Sequence, residues 1–272
     1  MICEICPRHC DLAPGQTGFC RARTNIENKI ICSNYGRITS LALDPIEKKP
    51  LSGFFPGKRI LSVGSFGCNL RCPFCQNHEI SMAGDEAQSV YMPPKTLLER
   101  ASELVPQGNI GVAFTYNEPL ISYEYLLDCA KLLKSQGLKV VLVTNGMICK
   151  EPLKRLLPYV DAMNIDLKGF TQEYYNFVGG DLGVVLETIE LAAKSCHVEI
   201  STLIITGKND SENEMRALSS WLASVDPEIP LHLQRFFPRY KMQDSYPTDT
   251  ETMRRLRGIA AERLKYVYAD NC

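Results

Sequence analysis

The chain has 272 residues, enough for one large α/β domain or two small ones, and its 45% hydrophobic and 22% charged residues are typical of an ordinary globular protein. Its net charge of −1 gives no electrostatic attraction to nucleic acid or to an anionic membrane, so we expect neither as a partner. No apolar run approaches the roughly 18 residues that span a bilayer, and the N-terminus has no signal-peptide pattern, so we expect a cytoplasmic protein.

Cysteine is the one unusual feature of the composition. There are twelve, and eight of them lie in the first 75 residues. A secreted disulfide scaffold would be short and rich in cysteine throughout, which does not describe this chain. We therefore expect the first quarter of the chain to bind metal.

The N-terminal segment reads differently from the rest of the chain. Residues 1–26 are predicted to form a small metal-organised unit, and residues 28–43 a hairpin with its turn near Asn34 and Gly36. We assign residues 1–50 to a cysteine-rich N-terminal extension that includes this hairpin, and residues 51–272 to the main domain.

From residue 60 onward, short apolar segments alternate with amphipathic helical patterns, two of them preceded by capping boxes at Ser211/Glu214 and Thr248/Glu251. The predicted strands are residues 60–65, 110–115, 140–144, 162–166, 198–205 and 231–236, with a last one at 266–268. Six βα repeats predict a parallel sheet with right-handed crossovers. The chain length favours an α/β fold of the incomplete (β/α)6 TIM-barrel type over a full eight-stranded barrel.

Three closely spaced cysteines follow the first of these strands. Cys68, Cys72 and Cys75 have the spacing C-x3-C-x2-C, with an aromatic residue, Phe74, before the last. Three thiolates would leave one iron of a [4Fe–4S] cluster open, and that iron can bind S-adenosylmethionine (SAM). A loop at the carboxyl end of a barrel strand is also where this architecture places its chemistry. The alternative is a zinc site with His78 as the fourth ligand.

This motif and several other stretches resemble the radical SAM superfamily, close to the activating enzyme of pyruvate formate-lyase. More narrowly, the chain resembles the radical SAM enzyme of the AmmeMemoRadiSam system, which is often encoded beside Memo-like and AMMECR-like proteins. The matching stretches are residues 44–51, 75–77, 115–119, 144–146, 164–168 and 235–238. Nearly the whole chain is covered by the resemblance.

The resemblance implies a SAM pocket at the strand ends. Glu118 and Pro119 match the end of a Gly-Gly-Glu-Pro motif that binds the SAM amino group. Tyr116 and Asn117 stand where similar enzymes have the two glycines. A surface turn that opens the next helix is the structural alternative for this segment.

The resemblance also implies roles for residues at later strand ends. Thr144 and Asp166 match two of the three residues at a cation site of the activating enzyme, but Val143 replaces the third. For Asp166 and Lys168 the alternative is a salt-bridged strand end, and for Ser201 a buried packing role. The expected SAM-binding residues are Phe74, Asn117, Glu118, Thr144, Asp166, Lys168, Ser201 and Arg235, and the candidate substrate contacts are Asn77, His78 and His232.

A second group of cysteines lies at the N-terminus. Cys3, Cys6, Cys10 and Cys20 could hold structural zinc or a second, fully ligated iron–sulfur cluster, and the spacing does not decide between them. His9 could replace one cysteine, and reduced thiols without metal are the alternative. The remaining cysteines lack ligand spacing: we expect Cys32, Cys129, Cys149 and Cys196 to be buried and Cys272 to be exposed.

These expectations combine into an oxygen-sensitive radical SAM oxidoreductase in which Cys68, Cys72 and Cys75 carry the cluster. The enzyme would cleave SAM to a 5′-deoxyadenosyl radical and abstract hydrogen from a peptidyl substrate, as a glycyl-radical activase does. A small-molecule substrate in a Memo- and AMMECR-associated pathway is the alternative. A non-catalytic iron–sulfur electron carrier is a third interpretation. The expected partners are a flavodoxin- or ferredoxin-type electron donor and a protein substrate.

Overall fold

The computed structural model describes residues 1–270. The strands are β1 Arg23–Ile26, β2 Lys29–Cys32, β3 Arg37–Ile38, β4 Ser40–Pro45, β5 Arg59–Gly64, β6 Val90–Tyr91, β7 Asn109–Phe114, β8 Lys139–Thr144, β9 Ala162–Asp166, β10 His197–Ile204, β11 Leu231–Arg235 and β12 Val267–Asp270. The helices are α1 His78–Ser81, α2 Pro94–Glu103, α3 Tyr123–Ser135, α4 Lys150–Leu156, α5 Gln172–Val178, α6 Leu182–Ala193, α7 Glu212–Val225 and α8 Thr250–Ala260. Short 3₁₀ helices lie at Ile46–Lys48, Val105–Gln107, Pro119–Ser122 and Leu157–Tyr159.

One eight-stranded sheet organises the molecule, in the order β12-β11-β10-β9-β8-β7-β5-β4. The seven strands β5 and β7 to β12 run parallel, and β4 joins β5 antiparallel at the edge. Among the described residues β4 and β12 do not pair with each other, so the sheet stays open. The predicted incomplete barrel is confirmed, with β12 as a seventh parallel strand.

The six strands predicted from apolar runs all form, each within one residue of its predicted ends. Parallel strands covered on both sides carry continuous apolar sequence, which makes them easy to find. Helices α2 to α8 bury their apolar faces on the outer side of the sheet. On the inner side, the segment after β4 fills the barrel with Ile46, Leu51 and Phe54, which pack on inward residues of the strands.

The predicted hairpin over residues 28–43 is wrong. β2 pairs instead with β1, through a two-residue turn at Glu27 and Asn28 with φ of 49° and 60°. Positive φ at both central residues is typical of a type I′ turn, which usually takes Asn or Gly at each position. Because Glu27 occupies the first of these positions, this turn has no signal in the sequence. The residues after Gly36 form β3, which pairs with β6, and β4, which pairs with β5.

The structure tests the two capping boxes that were predicted before α7 and α8. Ser211 caps α7 as predicted by accepting from the backbone N–H of Glu214 at 3.2 Å. The other half of the predicted capping box is wrong, because the Glu214 carboxylate accepts instead from the backbone N–H of Phe170 at 2.6 Å. For α8 the prediction is wrong, because Asp249 is the cap and the Thr248 hydroxyl donates to the carbonyl of Ile204.

The cysteines without ligand spacing differ in burial. Of the four expected to be buried, Cys129 is buried, whereas Cys32, Cys149 and Cys196 are half-buried. The expectation is therefore wrong for three of them. Cys272 lies outside the described residues. In the part of the chain that the structure describes, no helix is both long and apolar enough to cross a membrane.

Candidate active site

Three thiols gather in the loop that follows β5. Cys72 is buried, and Cys68 and Cys75 are half-buried; all three are free thiols. The Cys68 sulfur accepts hydrogen bonds from the backbone N–H of Leu70 at 3.3 Å and from the Asn145 amide at 3.6 Å. Burial, with the nearby Glu118 and Cys72, raises the pKa of Cys68 well above its ordinary value. Three free thiols on one loop, with N–H donors on the Cys68 sulfur, fit an iron–sulfur cluster.

Glu118 is the buried carboxylate of the site, at 2% exposure. Its Oε1 accepts from the Thr144 hydroxyl at 2.6 Å, and its Oε2 accepts from the backbone N–H of Asn145 at 2.8 Å. The residue also starts the 3₁₀ helix by accepting from the backbone N–H of Leu120. Burial raises the pKa of Glu118 to about 7, while these hydrogen bonds oppose the rise. The carboxylate is therefore oriented and poised to ionise beside a cation.

Asn117 supports the backbone ahead of the cysteine loop. Its Oδ1 accepts from the N–H of Ser65 at 2.9 Å, and its Nδ2 donates to the carbonyls of Phe66 and Gly67, each at 3.1 Å. All of these contacts are to main chain, so Asn117 positions the loop that carries Cys68.

Tyr116 has a backbone conformation that favours glycine, with φ of 71°. Its hydroxyl donates to Asp44 at 2.9 Å, and its carbonyl accepts from the Asn77 amide at 2.8 Å. The ammonium of Lys49, which pairs with Asp44, lies 4.8 Å from the ring centre. These contacts hold a conformation that a tyrosine adopts only at a cost.

Asp166 and Lys168 lie at the end of β9 and form an ion pair of 2.6 Å. Burial raises the pKa of Cys72 to about 12, and the charge of Lys168 opposes that rise. The pair therefore belongs to the electrostatic surroundings of the three cysteines.

The structure does not bring every candidate to this group. Ser201 is buried and donates to Asn164 at 3.0 Å. His232 is 2% exposed and bonds to Glu199 at 2.7 Å on the inner face of the sheet. Arg235 lies on the opposite face of β11 from His232 and donates to the Thr248 carbonyl at 2.7 Å.

The other candidates lie around the cysteine loop. Phe74 is buried and packs against Phe177, with ring centres 6.4 Å apart. His78 stacks on Tyr240 at 4.4 Å, and its Nδ1 lies 3.3 Å from the carbonyl of Cys75. The backbone N–H of Lys241 donates to the carbonyl of Pro73 at 2.9 Å, so the segment after β11 lies against the loop.

Two residues of the site were missed from sequence. Asn145 joins the Glu118 carboxylate to the Cys68 sulfur, and its Nδ2 also donates to Asn69 at 2.9 Å. Asn69 in turn donates to the carbonyl of Met147 at 2.7 Å. The signal was present as an asparagine directly after a strand end and another directly after Cys68, but the path that joins them is a property of the fold.

Comparisons with known proteins bear on this arrangement. A family model described as the radical SAM superfamily matches residues 62–222. An uncharacterized protein of Methanocaldococcus jannaschii is 41% identical over 273 residues, covering 99% of this chain and 80% of that protein. The pyruvate formate-lyase-activating enzyme of Clostridium pasteurianum is 26% identical over 233 residues, covering 78% of this chain and 95% of that enzyme.

Solved structures share the fold. SuiB of Streptococcus suis bound to SAM superposes with a TM-score of 0.59 at 15% identity, over 78% of this chain and 52% of SuiB. A domain of a pyruvate-formate lyase-activating enzyme from Bacteroides vulgatus superposes with a TM-score of 0.52 at 22% identity, over 59% of this chain and 99% of that domain. The family match spans more than half of the chain and includes the three-cysteine loop, so the chain belongs to the radical SAM superfamily.

Proposed function

We propose that the protein is a radical SAM enzyme of the activase type, which cleaves SAM reductively and abstracts hydrogen from a peptidyl substrate. Membership of the superfamily implies a [4Fe–4S] cluster and SAM as cofactors. The observation that carries the proposal is the connection, through Asn145, of the Cys68 sulfur to the buried Glu118 carboxylate. An electron carrier would have no use for this carboxylate.

Each residue of the site would have a distinct role. Cys68, Cys72 and Cys75 would hold three irons of the cluster, which supplies, when bound, the electron that cleaves SAM to methionine and the 5′-deoxyadenosyl radical. Glu118 would accept the SAM amino group, with its orientation fixed by Thr144 and the N–H of Asn145. Burial of this carboxylate excludes water, which strengthens its attraction for a cation.

A second part of the pocket is proposed from the neighbouring strand. Asp166 and Lys168 would contact SAM at the end of β9, where the ion pair already lies within electrostatic reach of Cys72. Asn117 would act by positioning the loop. Phe74, Ser201 and Arg235 are kept as candidates that act through packing or through neighbours, since their contacts are to Phe177, Asn164 and Thr248.

The open sheet supports a peptidyl substrate. Strands β4 and β12 leave a side through which a polypeptide loop can approach the strand ends. The activating enzymes among the relatives support this class, as does the shared fold of SuiB, solved with its precursor peptide SuiA at a TM-score of 0.57 and 17% identity. Asn77 and His78 border the loop on the side of Tyr116 and Tyr240 and would meet such a substrate first. His232 is kept as a candidate substrate contact on the inner face of the sheet, where it bonds to Glu199.

We also propose a flavodoxin- or ferredoxin-type donor of the electron and a reducing, cytoplasmic setting. The eleven cysteines of the described residues are all free thiols, which suits such a setting. Because an open iron is lost on oxidation, we expect the cluster to be oxygen-sensitive.

Deuterium transfer tests the substrate class. The reconstituted enzyme is incubated with SAM, dithionite and extract from cells that express it, grown in deuterated medium and divided into macromolecular and low-mass fractions. If incubation with the macromolecular fraction gives deuterated 5′-deoxyadenosine, the result supports a peptidyl substrate. Deuterium from the low-mass fraction alone would replace this proposal with the small-molecule alternative.

A further inference from the structure

The four N-terminal cysteines lie outside the site described above. They line one small cavity, here called the four-cysteine cavity, formed by Cys3, Cys6, Cys10 and Cys20. The backbone N–H of Cys3 donates to the carbonyl of Cys10 at 3.0 Å, which brings these two cysteines together. Cys3, Cys6 and Cys20 are buried, and all four are free thiols. Four thiols that share one apolar cavity without a disulfide are arranged as ligands.

A buried cation completes the lining. Arg23 is 4% exposed and borders the four-cysteine cavity. Its terminal nitrogens are bound by Glu124, at 2.8 and 2.7 Å, but within the described residues its Nε has no hydrogen-bond partner. A buried donor without an acceptor is costly, so an occupant of the cavity that accepts from Arg23 would be stabilised, most of all an anionic one. Thiolate or inorganic sulfide would meet this need.

Four thiolates in a closed set suit either a structural zinc ion or a fully ligated iron–sulfur cluster. Zinc has no redox chemistry, whereas a cluster can pass an electron to a neighbouring cluster. The position of the four-cysteine cavity beside the three-cysteine loop therefore favours the cluster.

The four-cysteine cavity lies directly against the three-cysteine loop. Gly67, which precedes Cys68, has φ of +86°, and a Cβ at this position would lie 2.4 Å from the carbonyl of Cys20. Arg8 donates to the carbonyl of Asn69 at 2.8 Å, and the Asn69 side chain lies near the Cys6 thiol. Since Asn69 is also bonded to Asn145, a chain of contacts joins Cys6 to Cys68.

The outer surface beside the four-cysteine cavity is basic. Phe19 is exposed and lies between the guanidinium groups of Arg8 and Arg71, at 3.5 and 3.8 Å from its ring centre. Arg21, next to Cys20, is exposed as well. In a chain of net charge −1, this surface is suited to an acidic protein partner.

We propose that Cys3, Cys6, Cys10 and Cys20 hold a second, fully ligated [4Fe–4S] cluster that relays electrons to the cluster of the three-cysteine loop. One electron enters from an acidic donor of the ferredoxin or flavodoxin class at the arginine surface and reduces the second cluster. The same electron then passes to the first cluster and is consumed in breaking the S–C bond of SAM. The relay rests on the proposed function, whereas the second cluster does not.

Metal content tests the second cluster. The Cys68→Ala/Cys72→Ala/Cys75→Ala variant, reconstituted anaerobically, is expected to retain about four irons per chain, against about eight in the wild type. Its reduced form is expected to give an EPR signal that SAM does not change. The Cys3→Ala/Cys6→Ala variant loses this signal, and the Cys196→Ala variant keeps it as a matched control.

The relay has its own measurement. The Cys3→Ala/Cys6→Ala variant is expected to lose SAM cleavage driven by reduced flavodoxin and to keep cleavage driven by dithionite. An Arg21→Glu variant is expected to slow the flavodoxin-driven reaction alone. Equal loss with both reductants would overturn the relay.

The other outcomes are equally distinct. About one zinc and no iron in the variant of the three-cysteine loop would overturn the second cluster, and so would the absence of both metals. This variant keeps the test valid even if the Cys3→Ala/Cys6→Ala protein does not fold. Iron in this variant together with no SAM cleavage by the wild type would leave the second cluster standing and reject the proposed function.

Discussion

Tyr116 shows how a single residue can keep a backbone conformation that its type disfavours. The φ of 71° is held by the hydroxyl contact to Asp44 and by the Asn77 amide on its carbonyl. Gly64 makes room for the ring, because a Cβ there would lie 2.9 Å from Cδ2 of Tyr116. The turn that leads into Glu118 thus forms with a tyrosine at a position whose φ favours glycine.

A double-mutant cycle tests this packing. Gly64→Ala forces a methyl group against the Tyr116 ring, so we expect a loss of about 1 to 3 kcal/mol of unfolding free energy. Combined with Tyr116→Gly, which removes the ring and the strain, Gly64→Ala should cost much less. Additive losses, measured by denaturant unfolding, would show that the two residues do not depend on each other.

Glu118 carries a pH dependence that follows from its burial. Its pKa is raised from 4.5 to about 7 in the folded apoprotein, so the folded state binds this proton more tightly than the unfolded state. The stability that this proton contributes is present below pH 4.5 and is lost as the pH rises through about 7.

The comparison with Glu118→Gln isolates this effect, since the amide does not titrate. Between about pH 5 and pH 8, the apoprotein should lose about 1 to 3 kcal/mol of unfolding free energy relative to Glu118→Gln. The exposed Glu99→Gln variant should follow the wild type. Parallel pH profiles for the wild type and Glu118→Gln would contradict the raised pKa.

At the scale of elements, the segment between β4 and β5 closes the inner side of the barrel. Its backbone N–H groups at Ser52 and Gly53 donate to the Glu199 carboxylate of β10, at 3.0 and 2.7 Å. The same carboxylate accepts from His197 and His232. Burial alone would raise the pKa of Glu199, but these hydrogen bonds lower the pKa to about 2. One fully buried side chain therefore fixes this segment to two strands.

Removing the Glu199 carboxylate should destabilise the segment between β4 and β5. We expect Glu199→Ala to lower the unfolding free energy of the apoprotein by about 3 to 5 kcal/mol, because it breaks a buried charged network. The exposed Glu190→Ala on α6 serves as the control. Because the folded pKa is depressed, the contribution is present above about pH 4.5 and is lost as the pH falls towards 2. Melting curves at pH 7 that match the control would contradict this role.

Some elements were accessible from sequence and others were not, for physical reasons. Strands β5 to β11 of the sheet carry apolar runs and were predicted closely, whereas the partner of β4 depends on a long-range antiparallel pairing. The spacing of Cys68, Cys72 and Cys75 placed them correctly after a strand. The contacts of Asn145 and Asn69 depend on the paths of two loops, which spacing does not encode.

At the scale of the whole molecule, we propose that residues 1–50 are a functional unit that folds together with residues 51–272, so that each part depends on the other. Cys20 and Ala22 pack with Phe66 and Ile121 in one buried cluster. The side chain of Arg23 pairs with Glu124 of α3 at 2.7 Å. Strand β4 also completes the edge of the main sheet.

Limited proteolysis tests this dependence. Cleavage within the segment between β4 and β5 should not leave a stable fragment of residues 51–272, since Phe66 and Ile121 would lose their cover. Recovery of such a fragment with native circular dichroism would mean that the two parts fold independently.

The central claim is that Cys68, Cys72 and Cys75 support reductive cleavage of SAM to the 5′-deoxyadenosyl radical. The protein is reconstituted with iron and sulfide without oxygen, mixed with dithionite and SAM, and its products are identified by mass spectrometry. We predict 5′-deoxyadenosine and methionine from the wild type and from Cys129→Ala, and neither from Cys72→Ala. Methylthioadenosine as the product, or equal 5′-deoxyadenosine from Cys72→Ala, would contradict the claim.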